Sequence, residues 1–162
     1  MRAEAEEEAL TTQVPHEVEE SPVAGALFVQ VQQFYGRHMR AMDEGRVADW
    51  TGDFIPDAVF ATNARAEPQR GRDEIARNAA AAARQQLEEK GVLRRHCVTT
   101  LEVDEDASGV LVARMYALIS RTVVGGAPEL EFVCTCQDEL VRQSGRLFIR
   151  HRQVHRDDLP RT

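Results

Sequence analysis

The sequence predicts an α+β domain in which helices from the first half of the chain cover one face of a curved antiparallel sheet built from the second half. Two observations carry this. Between Leu27 and Met42 the residues Leu27, Val31, Phe34, Tyr35, His38, Met39 and Met42 keep the i, i+3/i+4 spacing of an amphipathic helix, and an alanine-rich helical run follows Asp73. Beyond Gly91, strand-like segments at Arg95–Val103, Val110–Val124, Leu130–Arg142 and Arg146–His155 are separated by short turn-rich stretches that suit hairpins. Helices first and a meander afterwards is the order of an α+β domain.

The elements follow in order. The first 20 residues, rich in glutamate (Glu4, Glu6, Glu7, Glu8, Glu17, Glu19, Glu20), predict a disordered acidic extension, and residues 21–162 a single domain. Such a head lacks the basic and apolar regions of a signal peptide. Pro22 sits before the first helix and Gly45 just after its last turn, the asymmetry expected of helix ends. Val47–Phe54 reads as a second short helix with Trp50 and Phe54 four apart as core, broken by Pro56-Asp57, after which Ala58–Thr62 reads as a short strand. Asp73 is placed to cap a third helix running to about Lys90, and Gly91 to end it.

At 162 residues and a formal net charge of -7 the chain is one domain without the excess of Lys and Arg that a phosphate backbone requires, so nucleic acid is not an expected partner. The arginines at 142–156 are flanked by Asp138, Glu139, Asp157 and Asp158, and read as a solvated strand face or as intrachain pairs. No apolar run approaches the ~20 residues of a membrane span. Cys97, Cys134 and Cys136 are an odd count inside apolar segments, which fits a reducing cytoplasm better than a disulfide framework. Cys134 and Cys136 fall on one strand face and read as small buried hydrophobes; no metal site is expected. The strand at 110–124 is apolar on both sides, Val110, Val112 and Leu118 against Leu111, Met115 and Ile119, and a two-sided strand needs two covers, which predicts a homodimer through the outer sheet face.

The chemistry-bearing pair is Asp43, at the end of the first helix, and His96, in the first long strand. An imidazole that titrates near neutral pH, with its tautomer set by a carboxylate, can move a proton. Read alone, a strand histidine more often only satisfies backbone, and a helix-end aspartate often only organises the next turn. Tyr35 lies on the apolar side of the helix, as a hydroxyl donor or as core; His38, about 140° around the helix from Asp43, reads as cavity rim or surface. Tyr116 shares a strand side with Arg114, which faces a pocket or the convex side. In the last strand Leu147, Ile149, His151 and Gln153 are the expected inward set, which makes His151 a second cavity imidazole. Trp50, read as core, completes the candidate ligand-contacting set of Tyr35, His38, Trp50, Tyr116 and His151.

The segments AlaMetAspGluGly, AspTrp, PheIleProAspAlaValPhe, GlnArgGlyArgAspGluIleAla, ArgHisCysValThrThrLeuGluVal, AspGluLeuValArg and GlyArgLeuPheIleArgHisArg together resemble the SnoaL-like family of the nuclear transport factor 2-like superfamily, from about Val23 to Asp158. The resemblance implies a cone: about three helices in the concave face of a bent sheet around a deep apolar cavity for small hydrophobic molecules, often in a homodimer. It implies that Asp43 and His96 line that cavity and act without a cofactor, with Tyr35 or His151 steadying a developing oxyanion. Where the family often has a tyrosine one turn before the aspartate, this chain has His38. Where it often has an aromatic residue two before the carboxylate of AspGluLeu, it has Cys136. The fold hosts dehydratases, cyclases, isomerases and epoxide hydrolases, but also binding proteins and the non-catalytic small subunits of ring-hydroxylating dioxygenases.

Overall fold

A computed structural model describes residues 22–160; the acidic head, expected to be disordered, lies outside the described residues. The elements run α1 (Pro22–Asp43), α2 (Val47–Gly52), β1 (Phe54–Thr62), β2 (Gln69–Arg70), α3 (Arg72–Glu88), β3 (Val92–Glu105), β4 (Leu111–Val123), β5 (Pro128–Gln143) and β6 (Arg146–Arg156). The strands form one sheet in the order β2-β1-β6-β5-β4-β3, antiparallel throughout except for the parallel pair of β1 with β6. The sheet is curved and unclosed, and the three helices complete an α+β cone.

Helix α1 buries Val31, Phe34, Tyr35, His38 and Ala41, one stripe at helical spacing. It ends as its sequence requires: Gly45 takes φ +70°, its N–H donates to the Met42 carbonyl, and the Arg46 N–H reaches back to the Ala41 carbonyl. This two-bond closure satisfies carbonyls that the last turn would leave bare, and it leaves Asp43 as the final helical residue.

Helix α2 is shorter than its sequence suggests. Phe54 opens β1 instead of closing the helix, because Phe54 pairs with Ile149 and the Ile149 N–H donates to the Asp53 carbonyl. Pro56 does not break the strand: β1 is unpaired between Phe54 and Val59, so no ladder hydrogen bond is lost. At α3 the N-cap is Gly71, at φ +83°, not Asp73, which lies in the first turn where its negative charge complements the helix dipole. Helix α3 ends at Glu88, short of the expected Lys90, and Gly91, at φ +73°, lies in the turn that leads to β3.

Two irregularities decide what faces the helices. In β3, Thr100 has φ +53° and the register with β4 slips between Thr99 and Glu102. In β6, Leu140 of β5 pairs with Ile149 but the preceding Glu139 pairs with His151, so Arg150 is an extra residue. Because side chains alternate, one inserted residue reverses every later one. The concave face therefore receives Leu147 and Ile149, then Arg152 and Val154.

Candidate functional site

His96 sits on the concave side of β3, paired across from Ile119, and Asp43 reaches it from the end of α1. The Asp43 carboxylate accepts hydrogen bonds from the His96 backbone N–H at 3.2 Å on each oxygen and lies 2.7 Å from the ring Nδ1. A carboxylate only accepts, so Nδ1 carries the proton. The other nitrogen, Nε2, makes no hydrogen bond among the described residues. Asp43 is nearly covered (side chain 9% exposed) and His96 is a quarter exposed.

His96 stands between two spaces. One is a groove of about 540 Å³ between α1 and β3, edged by Gln32, Arg40, Glu44 and Arg95, with Asp43 in its wall. The other is an inner cavity of about 270 Å³ under the helices, walled by Met39, Met42, Trp50, Phe60, Met115 and Phe132 and also by Arg152. Its volume lies just below the range of ~300–1,000 Å³ usual for small-molecule sites. His96 lines both, and with Asp43 it also lines a third space of about 410 Å³ toward Ala83 and Leu87 of α3; Asp43 does not line the cavity, so from the cavity the carboxylate stands behind the imidazole.

A second polar assembly lies deeper. The Arg152 guanidinium holds Asp138 through Nε (2.9 Å) and Nη2 (2.7 Å), and Nη1 lies 2.9 Å from His38 Nε2. The Tyr35 hydroxyl donates to Asp138 at 2.8 Å, and His38 Nδ1 lies 3.0 Å from Asp53. Since Arg152 can only donate, His38 Nε2 accepts, and Nδ1–H donates to Asp53. Burial, reinforced by the Arg152 charge, lowers the His38 pKa from 6.5 to about 4, so the ring is neutral at pH 7. Burial, with the neighbouring Asp138 charge, pushes the Tyr35 hydroxyl well above its ordinary value. Burial works against the Arg152 charge, but the charge and hydrogen bonds of Asp138 outweigh it and raise that pKa. Phe34 and Trp50 stack on the two sides of His38 at centroid distances of 5.5 and 5.3 Å.

Several sequence expectations change here. His38 is fully buried, not at a rim, because it continues the stripe of Phe34 and Tyr35; its partners are Asp53 and Arg152 rather than Asp43. The Tyr35 hydroxyl is committed to Asp138 and is not free for a ligand. His151 lies on the outer side of β6, displaced from the cavity by the extra residue Arg150, and Arg152 takes its place. Tyr116 is 49% exposed on the convex face, where Arg114 pairs with Asp104. Trp50 is both core and cavity wall. Arg150, Arg152 and Arg156 have intrachain carboxylate partners. The cysteines are unpaired; Cys134 and Cys136 are buried in the cavity wall, and burial pushes the Cys136 thiol up to about 12.

Asp53, Asp138 and Arg152 escaped the sequence reading. Asp138 had a signal, since it continues the inward phase of Cys134 and Cys136 toward Leu140. Arg152 had none, because the extra residue that turns it inward is visible only in the pairing. Among the described residues no group of three or more His, Cys, Asp or Glu side chains is placed to hold a metal ion.

A cavity beneath three helices on a bent sheet, with an imidazole at its edge and a carboxylate behind that imidazole, is the architecture of an α+β cone. The SnoaL-like domain model matches residues 28–153, and the chain belongs to that family. It is similar in structure to Aln2 from a Streptomyces species (33% identity, 85% of this chain and 94% of that one, TM-score 0.75). A Catenulispora acidiphila protein solved in complex with S-DNPA is also similar (37% identity, 83% and 96% covered, TM-score 0.70), as is ActVI-ORFA from Streptomyces coelicolor (25% identity, 85% and 99% covered, TM-score 0.77). A comparison with curated proteins found no match.

Proposed function

We propose that the chain is a cofactor-independent dehydratase, cyclase or isomerase that acts on a small hydrophobic, oxygenated aromatic or polyketide-derived molecule held in the inner cavity. The observation that carries this reading is the 2.7 Å contact of His96 Nδ1 with Asp43 at the cavity edge. With Nδ1–H held by the carboxylate, the Nε2 lone pair is the one available to take a proton alpha to a carbonyl, and Asp43 stabilises the imidazolium that forms. Asp43 acts through His96 as a positioning residue. That a relative holds the small molecule S-DNPA supports occupation of such a cavity.

The test is α-proton exchange, which needs no knowledge of the natural product. Wild-type protein should speed deuterium uptake by 1-tetralone, a two-ring ketone with enolisable protons, in D₂O at pH 7. His96→Ala should lower that rate by about 10²–10⁴-fold with ligand affinity within about an order of magnitude, and Asp43→Asn should lower it less, in the same step. Equal exchange with wild type and His96→Ala would leave a carrier. A non-catalytic subunit is the remaining alternative: the beta subunit of a Novosphingobium aromaticivorans dioxygenase shares the fold at 15% identity, and this reading predicts no small-molecule binding at all.

A further inference from the structure

We infer that Arg94 is the donor that receives the enolate oxygen when His96 takes a proton from the bound ligand. The inference rests on the reading of the His96–Asp43 pair as a proton-transfer site.

Removing a proton alpha to a carbonyl breaks a C–H bond, forms an N–H bond on His96 Nε2 and moves the electron pair onto the carbonyl oxygen. That oxygen then carries the charge, and a positioned donor beside it lowers the barrier. The two groups expected for this task are committed elsewhere, Tyr35 to Asp138 and His151 to the outer side of β6.

Arg94 stands two residues before His96 in the regular stretch of β3, so both side chains leave the concave face about 7 Å apart. Both line the inner cavity, and both line the third space beside α3. They lean to different sides. Asp43 draws the imidazole toward α1, while Glu131, an extra residue of β5 between Leu130 and Phe132, draws the guanidinium across β4. Ile119, which pairs with His96 on the intervening β4, lines the same cavity.

Glu131 accepts from Arg94 Nε at 2.7 Å and from Nη2 at 3.1 Å, and Glu89 accepts from Nη2 at 3.0 Å. This fork fixes the guanidinium plane and leaves both N–H groups of Nη1 without a partner among the described residues. Nη1 is also within reach. Among partly covered residues such as Arg94 and His96, the buried side-chain atoms that lack a partner are Trp50 Nε1 and His155 Nδ1 alone, so Arg94 Nη1 and His96 Nε2 are both open to an incoming atom. Hydrogen bonding to Glu131 raises the Arg94 pKa, and the donor stays charged.

Distance excludes Arg152 from this role. It belongs to the row of Ala113 and Asp138, six residues along β4 from the Ile119 that faces His96, or about 20 Å of strand. An alpha carbon is bonded directly to the carbonyl carbon, so the oxygen must lie beside His96. Ligand chemistry is thereby narrowed to ketones whose carbonyl sits at the His96 edge of the cavity and whose hydrophobic body fills the interior.

The probe is 1-naphthol, whose anion copies the enolate of 1-tetralone in shape and charge and has its own absorption band. Bound to wild type, it should ionise at a pH about 1–3 below that of free 1-naphthol. Arg94→Met should remove that difference and slow deuterium uptake by 1-tetralone about 10²–10³-fold, while 1-tetralone affinity stays within about tenfold. Arg94→Lys keeps a charge and should restore part of both. Arg114→Met, the same charge change on the convex face, should behave as wild type. The double variant Arg94→Met/Glu131→Leu strands no carboxylate and gives the same readings if the single variant does not fold.

An unchanged exchange rate or naphthol titration in Arg94→Met would overturn the assignment. So would a naphthol that ionises normally on wild type, or one whose ionisation changes in Arg156→Met alone. His96→Ala should stop exchange yet keep the naphthol effect. Exchange lost in His96→Ala but kept in Arg94→Met therefore leaves the proton-transfer reading and removes this one, and a wild type without exchange removes both.

Discussion

Asp43 occupies a position that helix energetics disfavour. It is the last residue of α1, where the helix dipole is negative and a carboxylate costs about 0.3–1 kcal/mol instead of gaining it. Its compensation is external, three contacts with His96, and that placement is what the proposed role of the pair rests on. His38 illustrates the opposite case, a histidine held neutral by its surroundings. In the unfolded chain it binds a proton below about pH 6.5, and in the folded chain only near pH 4. Between these values the unfolded state takes up a proton that the native state refuses. The contribution to stability is therefore complete above about pH 6.5 and lost as the pH falls to 4, a swing of roughly 3 kcal/mol. Urea melts from about pH 7 to about pH 4.5 should show this slope in the wild type and a clearly shallower one in His38→Gln; parallel slopes would contradict it.

At the scale of elements, the extra residue Arg150 marks the bulge of β6. Deleting it removes the bulge and leaves Ile149 and Arg152 two positions apart, so Arg152 keeps its inward place and its pair with Asp138. A thermal melt of the deletion variant should therefore stay near wild type; a loss of about 3–5 kcal/mol, the cost of a broken buried pair, would show that Arg152 had left Asp138. The turn after α3 depends on one residue as well. At Gly91 an added Cβ would meet no atom within 4 Å, so Gly91→Ala tests backbone strain at φ +73° alone, an expected loss of roughly 1–2 kcal/mol read as a shift in denaturation midpoint. The end of α1 and the long strands β3 to β6 were legible because each rests on local chemistry, Gly45 above all. The exchange of Phe54 from helix to strand was not, because its partner Ile149 lies far along the chain.

For the whole molecule, assembly turns on the convex face of the sheet. The inward-facing residues of β4 (Leu111, Ala113, Met115, Ala117 and Ile119) are buried, while Val112 and Leu118 on the other side stay only partly covered and Tyr116 is exposed. The proposed homodimer would bury that face. Sedimentation at micromolar concentration should give about twice the 18.2 kDa chain mass, and Leu118→Arg should return it to a monomer; a monomeric wild type would remove the proposal.

By itself the sequence determined the order of helices and strands, the end of α1, the inward phase of β4, the family, and the pairing of the Asp43 and His96 segments. The first three follow from neighbours in the chain, from periodicity and from turn chemistry; the family and the Asp43–His96 pairing follow from the resemblance carried by those segments. Only the tertiary structure decided that His38 is buried between Asp53 and Arg152, that Tyr35 serves Asp138, and that Arg152 rather than His151 faces the cavity. Alternation along a strand carries no memory across an inserted residue, and the partner of a buried charge is chosen by which strands lie side by side.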